Sequence, residues 1–569
     1  MTSLKRITET LRPLLPGHGP LINQLAEQHA DEPLRFLSEI GSRSLISHIR
    51  LCQLWADALG VAYVNPFNVE LPSDPSVQLP GEVARSANAL VLTSVASGVT
   101  VGMAQPDDKK LIESLRKALA RDISPVFSHP DEIQASINLL FGNDNALNRS
   151  LERTCAEWPA LPGGREIRNS RDTEGLLKGE AVQELFNSIL LTAFRRRASD
   201  IHLEPGPDDA RVRFRVDGDM CQIVNVPRAV HDALIVRIKV LSSLDVAQSR
   251  LPQDGAFELD FGGTRPAFRT STLPSLYGEK GVLRLLGSPA GQSLPRLGAL
   301  NMSDTVRGAL RRVVLNPNGI LIACGPTGSG KTTTLYACLG EINRPDLNIV
   351  TIEDPVEIRL PGLTQHQVNT QVGLTFGKVL RAILRQDPDV LLVGEIRDLE
   401  TARIATEAAL TGHLVLTSLH ANNSLQAVTR LVEIGVEPYL VAPTTMGVLS
   451  QRLVRRICPA CKESYKATHE ELEPYFTEIE DANVTLYRGR GCPQCYGSGF
   501  QGRIGLHEFV EVSETMREMI NHRAPSAQLM AEAHRTGYRT LRYDGLKKAL
   551  IGMTTLSEIA LATLPEMTS

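Results

Sequence analysis

Apolar residues recur at helical spacing through residues 1–60, most clearly in "SLISHIRLCQLWADALGV", and predict a helical N-terminal region. From 61 to 141 the pattern changes. "VAYVNPF" reads as a strand, and "ALVLTSVASGVTVGMA" (89–104) reads as strand, "ASG" turn, strand. "DDKKLIESLRKALA" follows with an acidic start and basic later turns, the charge order that suits a helix dipole, so this region is expected to be a small α/β domain. Residues 142–175 turn polar through "ALPGGREIRNSRDTEG" and predict a linker. A second domain is expected over 176–288. It has a helix in "AVQELFNSILLTAFRRRA", alternating strands in "ARVRFRVDG" and "RPAFRTSTLP", and a closing "GVLRLLG" before a second linker, "SPAGQSLPRLG". The region 298–569 opens with a helix and then sets short apolar runs, "NGILIAC", "IVTIE", "DVLLV" and "GHLVLTSLH", between helical stretches. These predict buried strands of an α/β sheet.

Composition narrows the classes. At 569 residues the chain is too long for one core. Its 42% hydrophobic and 22% charged content is that of an ordinary soluble globular protein. A net charge of -4 and 5% aromatics leave no footprint for nucleic acid, and a DNA-translocating motor would need a basic channel with stacking aromatics. The start lacks the apolar stretch of a secretory signal, and no run of about eighteen apolar residues occurs, so a cytoplasmic protein that reaches membranes through partners is expected. Five of the nine cysteines, Cys52, Cys155, Cys221, Cys324 and Cys338, read as lone buried thiols. The other four are paired as Cys458-x-x-Cys461 and Cys492-x-x-Cys495, a pattern that fits metal ligation in a reducing compartment.

The run "GPTGSGKTTTL" carries the sharpest chemistry. Gly325-Pro326-Thr327-Gly328-Ser329-Gly330-Lys331-Thr332 matches G-x-x-x-x-G-K-[ST] in full, with Thr333 next, between an apolar run and a helix. Its glycines let successive backbone N–H groups face phosphates, Lys331 supplies charge to the β/γ-phosphates, and the Thr332 hydroxyl is placed to ligate Mg²⁺. Carboxylates opposite such a loop are expected at strand ends. Glu395 ends "DVLLVGE", and Glu353, Asp354 and Glu357 follow "IVTI". His413 and His420 bracket a third apolar run and join the candidates. The two cysteine pairs have thirty residues between them, in which "YKATHEELEPYFTEIEDANVT" looks like an excursion. Four thiolates suit one tetrahedral Zn²⁺ with no open position, hence a structural role, while redox-active or unligated thiols are the alternative.

Taken in order, "RRRASDIHLEP", "RVRFRVDG", "RLPQDG", "STLPSLYGEKGVLRLL", "GPTGSGKTTTLY", "TIEDPVE", "LRAILRQDPDVLLVGEIRDLETA" and "TGHLVLTSLHANNS" resemble the secretion ATPases of type II secretion and type IV pilus assembly, from about residue 180 onward. The resemblance implies a multidomain α/β chain. An N-terminal α/β docking region would precede a PAS-like α+β second domain and a RecA-like P-loop motor domain. It implies a homo-hexamer at the cytoplasmic face of the inner membrane, hydrolysing ATP to drive a platform protein that extracts pilin or pseudopilin subunits. The family's acidic box falls on Glu353, Asp354 and Glu357, and its Walker B glutamate on Glu395, so Glu353 and Glu395 are rival candidates for orienting the attacking water, with Glu353 favoured. Its histidine box falls on His413 and His420. Its arginines fall on Arg269, Arg284, Arg381 and Arg385, which would carry charge to the γ-phosphate as domains move. "RPAFRTST" departs from the family with Ala and Phe where an acidic and an aliphatic residue usually alternate. The four-cysteine element is shared with assembly and secretion ATPases and absent from retraction ATPases, which favours extension or secretion over disassembly; the long N-terminal region favours a pilus extension motor, with the type II secretion ATPase as the alternative. No clear copy of the N-terminal "RLG" repeats that bind cyclic di-GMP in some relatives is present.

Overall fold

The computed structural model describes residues 3–563 apart from 16, 31–32, 44–45, 67–68, 70, 73–76, 96–97, 142–144, 158–179, 260–265, 287–295 and 476–483. The chain divides into two compact units, Met1–Gly291 and Gln292–Ser569.

The first unit begins with helices α1 (Ser3–Leu14), α2 (Gly19–Gln28), α3 (Pro33–Ser42) and α4 (His48–Leu59). Ile7 and Leu11, Ile22 and Leu25, and Phe36, Leu37 and Ile40 stand three or four residues apart. They close on Leu51 and Trp55 as one apolar core. After α5 (Gly81–Ala87) come β1 (Ala89–Val95), β2 (Gly98–Met103), α6 (Lys109–Leu119) and β3 (Asp122–Phe127). β1 and β2 pair antiparallel, and α6 carries the chain over to place β3 parallel to β2. The Asp108 carboxylate starts α6 by accepting from the Lys110 and Leu111 amides. The run expected as a strand at "VAYVNPF" makes only a single bridge, Tyr63 to Phe127, because Pro66 offers no amide to continue a ladder.

Helix α7 (Pro130–Phe141) leads to a correction. Residues expected to be linker form α8 (Asn145–Glu157), packed on α9 (Glu180–Arg195). Leu147, Leu151 and Thr154 fall on one helical face. The two leucines join the second-domain core, and Thr154 Oγ1 donates to the Ala181 carbonyl at 3.1 Å. The rest of that stretch, 158–175, and most of "SPAGQSLPRLG" lie outside the described residues. Strands β4 (Ala198–Pro205), β5 (Asp209–Val216), β6 (Asp219–Pro227), β7 (Gln253–Glu258), β8 (Ala267–Ser275) and β9 (Gly278–Leu286) form an antiparallel sheet in the order β6-β5-β4-β9-β8-β7. Alternate residues such as Ile201, Leu203, Val212, Phe214, Phe268 and Leu283 face α9 and α10 (Arg228–Leu241). The thiols also need correction: Cys52, Cys324 and Cys338 are buried, but Cys155 is half-buried, and Cys221, on the edge strand β6, is exposed.

The second unit is a seven-stranded sheet in the order β12-β11-β13-β14-β10-β15-β18. Its strands are β10 (Gly319–Cys324), β11 (Ile349–Glu353), β12 (Thr364–Gln367), β13 (Val390–Val393), β14 (Leu414–Leu419), β15 (Thr445–Ile457) and β18 (Phe500–Glu511). All neighbours are parallel except β15 and β18. β10, β11, β13 and β14 are buried along their whole length, as apolar runs covered on both faces must be. One face packs on α11 (Asp304–Val314) and α12 (Lys331–Ile342). The other packs on α13 (Phe376–Ile383), α14 (Leu399–Leu410), α15 (Ser424–Ile434) and α16 (Pro438–Thr444).

β16 (Lys462–Lys466) and β17 (Thr485–Gly489) make a separate antiparallel pair, so the excursion between the cysteine pairs begins and ends as a ladder, with the short α17 (His469–Leu472) in between. Helices α18 (Glu514–Asn521), α19 (Ser526–Arg535), α20 (Leu541–Leu550) and α21 (Leu556–Ala562) close the described chain.

Candidate active site

Strand register assembles the site. β10 ends at Cys324, beside Leu419 of β14 and Ser450 of β15, so the next residues of those strands, His420 and Gln451, flank the start of the phosphate loop. On β11 and β13, Ile352 pairs with Val393, which sets Glu353 against Gly394. A Cβ on Gly394 would lie 3.1 Å from the Ile352 carbonyl oxygen and 3.3 Å from Glu353 Cα, so this glycine lets the two acidic turns touch. Loop, acids and His420 thus gather at the carboxyl ends of parallel strands, where α/β folds bind ligands.

The loop is built for close backbone approach. Gly325 (φ +145°) is walled in by the Gln451 carbonyl, 2.6 Å from where a Cβ would stand, and Gly330 (φ +89°) caps α12. Pro326, Thr327 and Gly328 are exposed, Ser329 is buried, and Thr332 and Thr333 are exposed on the first turn of α12. Lys331 Nζ donates to the Gly325 and Pro326 carbonyls at 2.9 and 3.0 Å. Burial holds its ammonium below the ordinary lysine range, and the charge of Glu395 opposes that shift, so Lys331 and Glu395 feel each other's field.

The two acids are held differently. Glu353 is buried and accepts from the Tyr336 hydroxyl, from Thr351 Oγ1 at 2.7 Å and from Gln365 Nε2 at 3.2 Å. Burial and then the Glu353 charge push the Tyr336 hydroxyl up, so it remains a donor. Glu395 is more open. Arg397 Nη2 lies 2.5 Å and His420 Nε2 3.5 Å from its oxygens, and Arg397 also reaches Asp354 at 3.6 Å. Backbone bonds from Gly394 to Ile352 and from Ile396 to Ser418 fix the turn that carries Glu395. Glu357 is exposed.

His413 is not part of this constellation within the chain. It precedes β14 at the opposite end of the strand, roughly 23 Å from His420 at ~3.3 Å per residue. There its Nδ1 donates to the Ala408 carbonyl at 2.8 Å. Arg381 pairs with Glu400 at the start of α14, and Arg385 Nη1 donates to the Arg381 carbonyl at 2.8 Å. Arg269 and Arg284 belong to the first unit, where β8 and β9 set them side by side and Arg284 Nε donates to the buried Asp200 at 2.8 Å.

Residues without a motif complete the pocket. Gln451 Nε2 donates to the Ser329 carbonyl at 2.6 Å, and its Oε1 accepts from Thr334 at 2.9 Å, which ties the loop to β15. Half-buried Arg452 bonds the Asn422 carbonyl at 2.8 Å beside Lys331. A polar pair inside the apolar run "VLSQRLV" was the available signal for both. Tyr336 was hidden in a helix that reads as core.

The four cysteines come together. Sγ–Sγ separations are 3.9 Å for Cys458–Cys492, 3.9 Å for Cys461–Cys495 and 3.7 Å for Cys492–Cys495. Zinc–sulfur bonds of about 2.3 Å in a tetrahedron require about 3.8 Å, so the set fits that ion. Burial opposes ionisation of Cys495, but amide bonds from Cys492 and Gly499 overcome it and bring the thiol down to about 7.

A complete phosphate loop between a central parallel strand and a helix, faced by acids on adjacent strand ends, defines a P-loop nucleotide-binding domain. Residues 176–561 match the Type II/IV secretion system protein family, and the chain belongs to it. Residues 59–147 match the MshEN domain. The type IV pilus assembly ATPase PilB of Thermus thermophilus is 39% identical over 522 residues, 90% of this chain, which spans 57% of that relative's length. Type II secretion system protein E of Pseudomonas aeruginosa is 48% identical over 69% of this chain and 78% of its own. The protein of that name from Dickeya dadantii is 40% identical over 86% of this chain and 97% of its own.

Proposed function

We propose that this chain is an ATPase that drives type IV pilus assembly, working as a homo-hexamer on the cytoplasmic face of the inner membrane through a platform protein. The observation that carries this reading is the 39% identity to a pilus assembly ATPase over 90% of the chain. A type II secretion ATPase is the second reading, favoured by the 97% of the Dickeya dadantii relative that this chain covers. No helix among the described residues is long and apolar enough to cross a membrane, so pull on a membrane subunit would pass through a partner. The second domain is read as PAS-like, which its antiparallel sheet covered by helices on one face supports. The motor domain is read as RecA-like.

In the proposed cycle the loop amides and Lys331 hold the phosphates of ATP. Magnesium, bound with the nucleotide, supplies charge neutralisation, and the Thr332 hydroxyl and Glu395 are suited to hold it, directly and through water. Glu353, fixed by Tyr336, Thr351 and Gln365, orients the attacking water. Arg269, Arg284, Arg381 and Arg385 bring positive charge as domains move. His420, beside Glu395, senses the γ-phosphate, and His413 acts at a distance from that site within the chain. Zinc in the four-cysteine element is structural.

The test is to delete the chain from its host and restore it as wild type or Lys331→Ala. Loss of surface pili with normal exoprotein release, restored only by wild type, supports pilus assembly. Retained pili with exoproteins trapped in the cell assign it to secretion.

A further inference from the structure

A second group of metal-ligating side chains lies in the first unit, between α4 and the first turn of α7. His48 Nε2 stands 3.0 Å from Glu132 Oε1 and 3.7 Å from Cys52 Sγ, and all three donor atoms lie within 4.8 Å of one another. His48 and Cys52 are four residues apart on α4, so both point to the same side of the helix.

The Glu132 side chain is fully buried, yet among the described residues no Lys or Arg lies within ion-pairing distance. A carboxylate removed from water needs compensating charge or a full set of donors. Neutral groups supply part of this. The Tyr63 hydroxyl donates at 2.6 Å, Asn65 Nδ2 at 3.0 Å, and the His129 amide to the other oxygen at 3.2 Å. Tyr63 and Asn65 both donate to Oε1, the oxygen nearest His48, so an ion reaching that oxygen takes the place of one of them, and the remaining bonds orient the carboxylate from outside the coordination shell. One imidazole, one thiol and one carboxylate on two elements match a zinc-class donor set, and the 3.0–3.7 Å spacings suit ligands about 2.0–2.3 Å from a shared ion. His48 is 37% exposed, which gives the ion a route in and leaves water a fourth position.

We infer that His48 Nε2, Cys52 Sγ and a Glu132 carboxylate oxygen bind a divalent zinc-class ion that staples the N-terminal helices to the MshEN-matching domain. The site is separate from the four-cysteine cluster, so the two are counted independently.

The full chain is incubated with excess zinc sulfate and desalted, and its metal content is measured by mass spectrometry. Two zinc ions per chain are expected. A Cys492→Ser/Cys495→Ser variant should keep one, and adding Cys52→Ser or His48→Gln to it should leave none. With cobalt in place of zinc, the thiolate charge-transfer band that survives in the double variant should vanish with Cys52→Ser. If the Cys492→Ser/Cys495→Ser variant retains no metal, Glu132 is a hydrogen-bonded structural carboxylate and the inference fails. The same holds if its one ion persists after Cys52→Ser and His48→Gln. Because the double variant leaves the N-terminal region untouched, instability of the Cys52 or His48 variants does not decide the outcome.

Discussion

The ends of β11 and β13 are neighbours in one sheet, and each finishes in a glutamate, but the two carboxylates live in different surroundings. Glu353 is buried, accepts from three neutral donors and has no cation paired with it among the described residues. Glu395 sits nearer water between Arg397 and His420, within the field of Lys331. Equal position in a topology therefore does not mean equal chemistry. An acid fixed by neutral donors keeps one orientation, whereas one among cations responds to any charge that arrives or leaves.

Removing the charge both acids work with should have the largest effect. Lys331→Ala is expected to lower phosphate release with Mg-ATP by at least 100-fold, as loss of charge on a transferring phosphoryl group does. Glu353→Gln and Glu395→Gln should each cost a comparable factor and differ in how. Glu353→Gln should leave ATP affinity and the Mg²⁺ requirement unchanged, while Glu395→Gln raises the Mg²⁺ needed for half-maximal turnover. Identical Mg²⁺ titrations for the two would erase the distinction. Tyr336→Phe removes one donor from a buried carboxylate at about 1–3 kcal/mol, so turnover should fall roughly tenfold with ATP affinity intact. The smallest effect tests the histidines. His420→Asn should slow the isolated chain several-fold, whereas His413→Asn should stay within about twofold of wild type, given its place at the far end of the strand.

Those predictions divide along the line between local and distant information. The phosphate loop was legible because its geometry is made by consecutive residues and announced by glycines. Glu353 and Glu395 were legible because each closes an apolar run, and parallel sheets put such ends at the ligand edge. Strand direction also separates the histidines: His420 leaves β14 and His413 enters it, so one strand carries them at opposite ends. Bracketing in sequence hid this. Gln451 stands 122 residues from the Ser329 carbonyl it holds, a contact no local pattern encodes. Helix α8 was missed because its polar residues outnumber the few that meet the core. The helices and hairpin of the N-terminal third were legible in their periodicity, but its function was not, because they carry core residues and few chemical motifs.

β15 unites two features that the sequence keeps apart. The strand that anchors the phosphate loop through Gln451 runs on to Ile457, and the first cysteine of the cluster follows at once. At about 3.3 Å per residue the anchor and Cys458 stand roughly 23 Å apart on one stiff rod, splinted by β18 along most of that distance. In mechanical terms the cysteine knuckle is an outrigger on the phosphate loop: a shift of the loop either strains the ladder or tilts the far end, and a label placed there would read out the nucleotide without touching it.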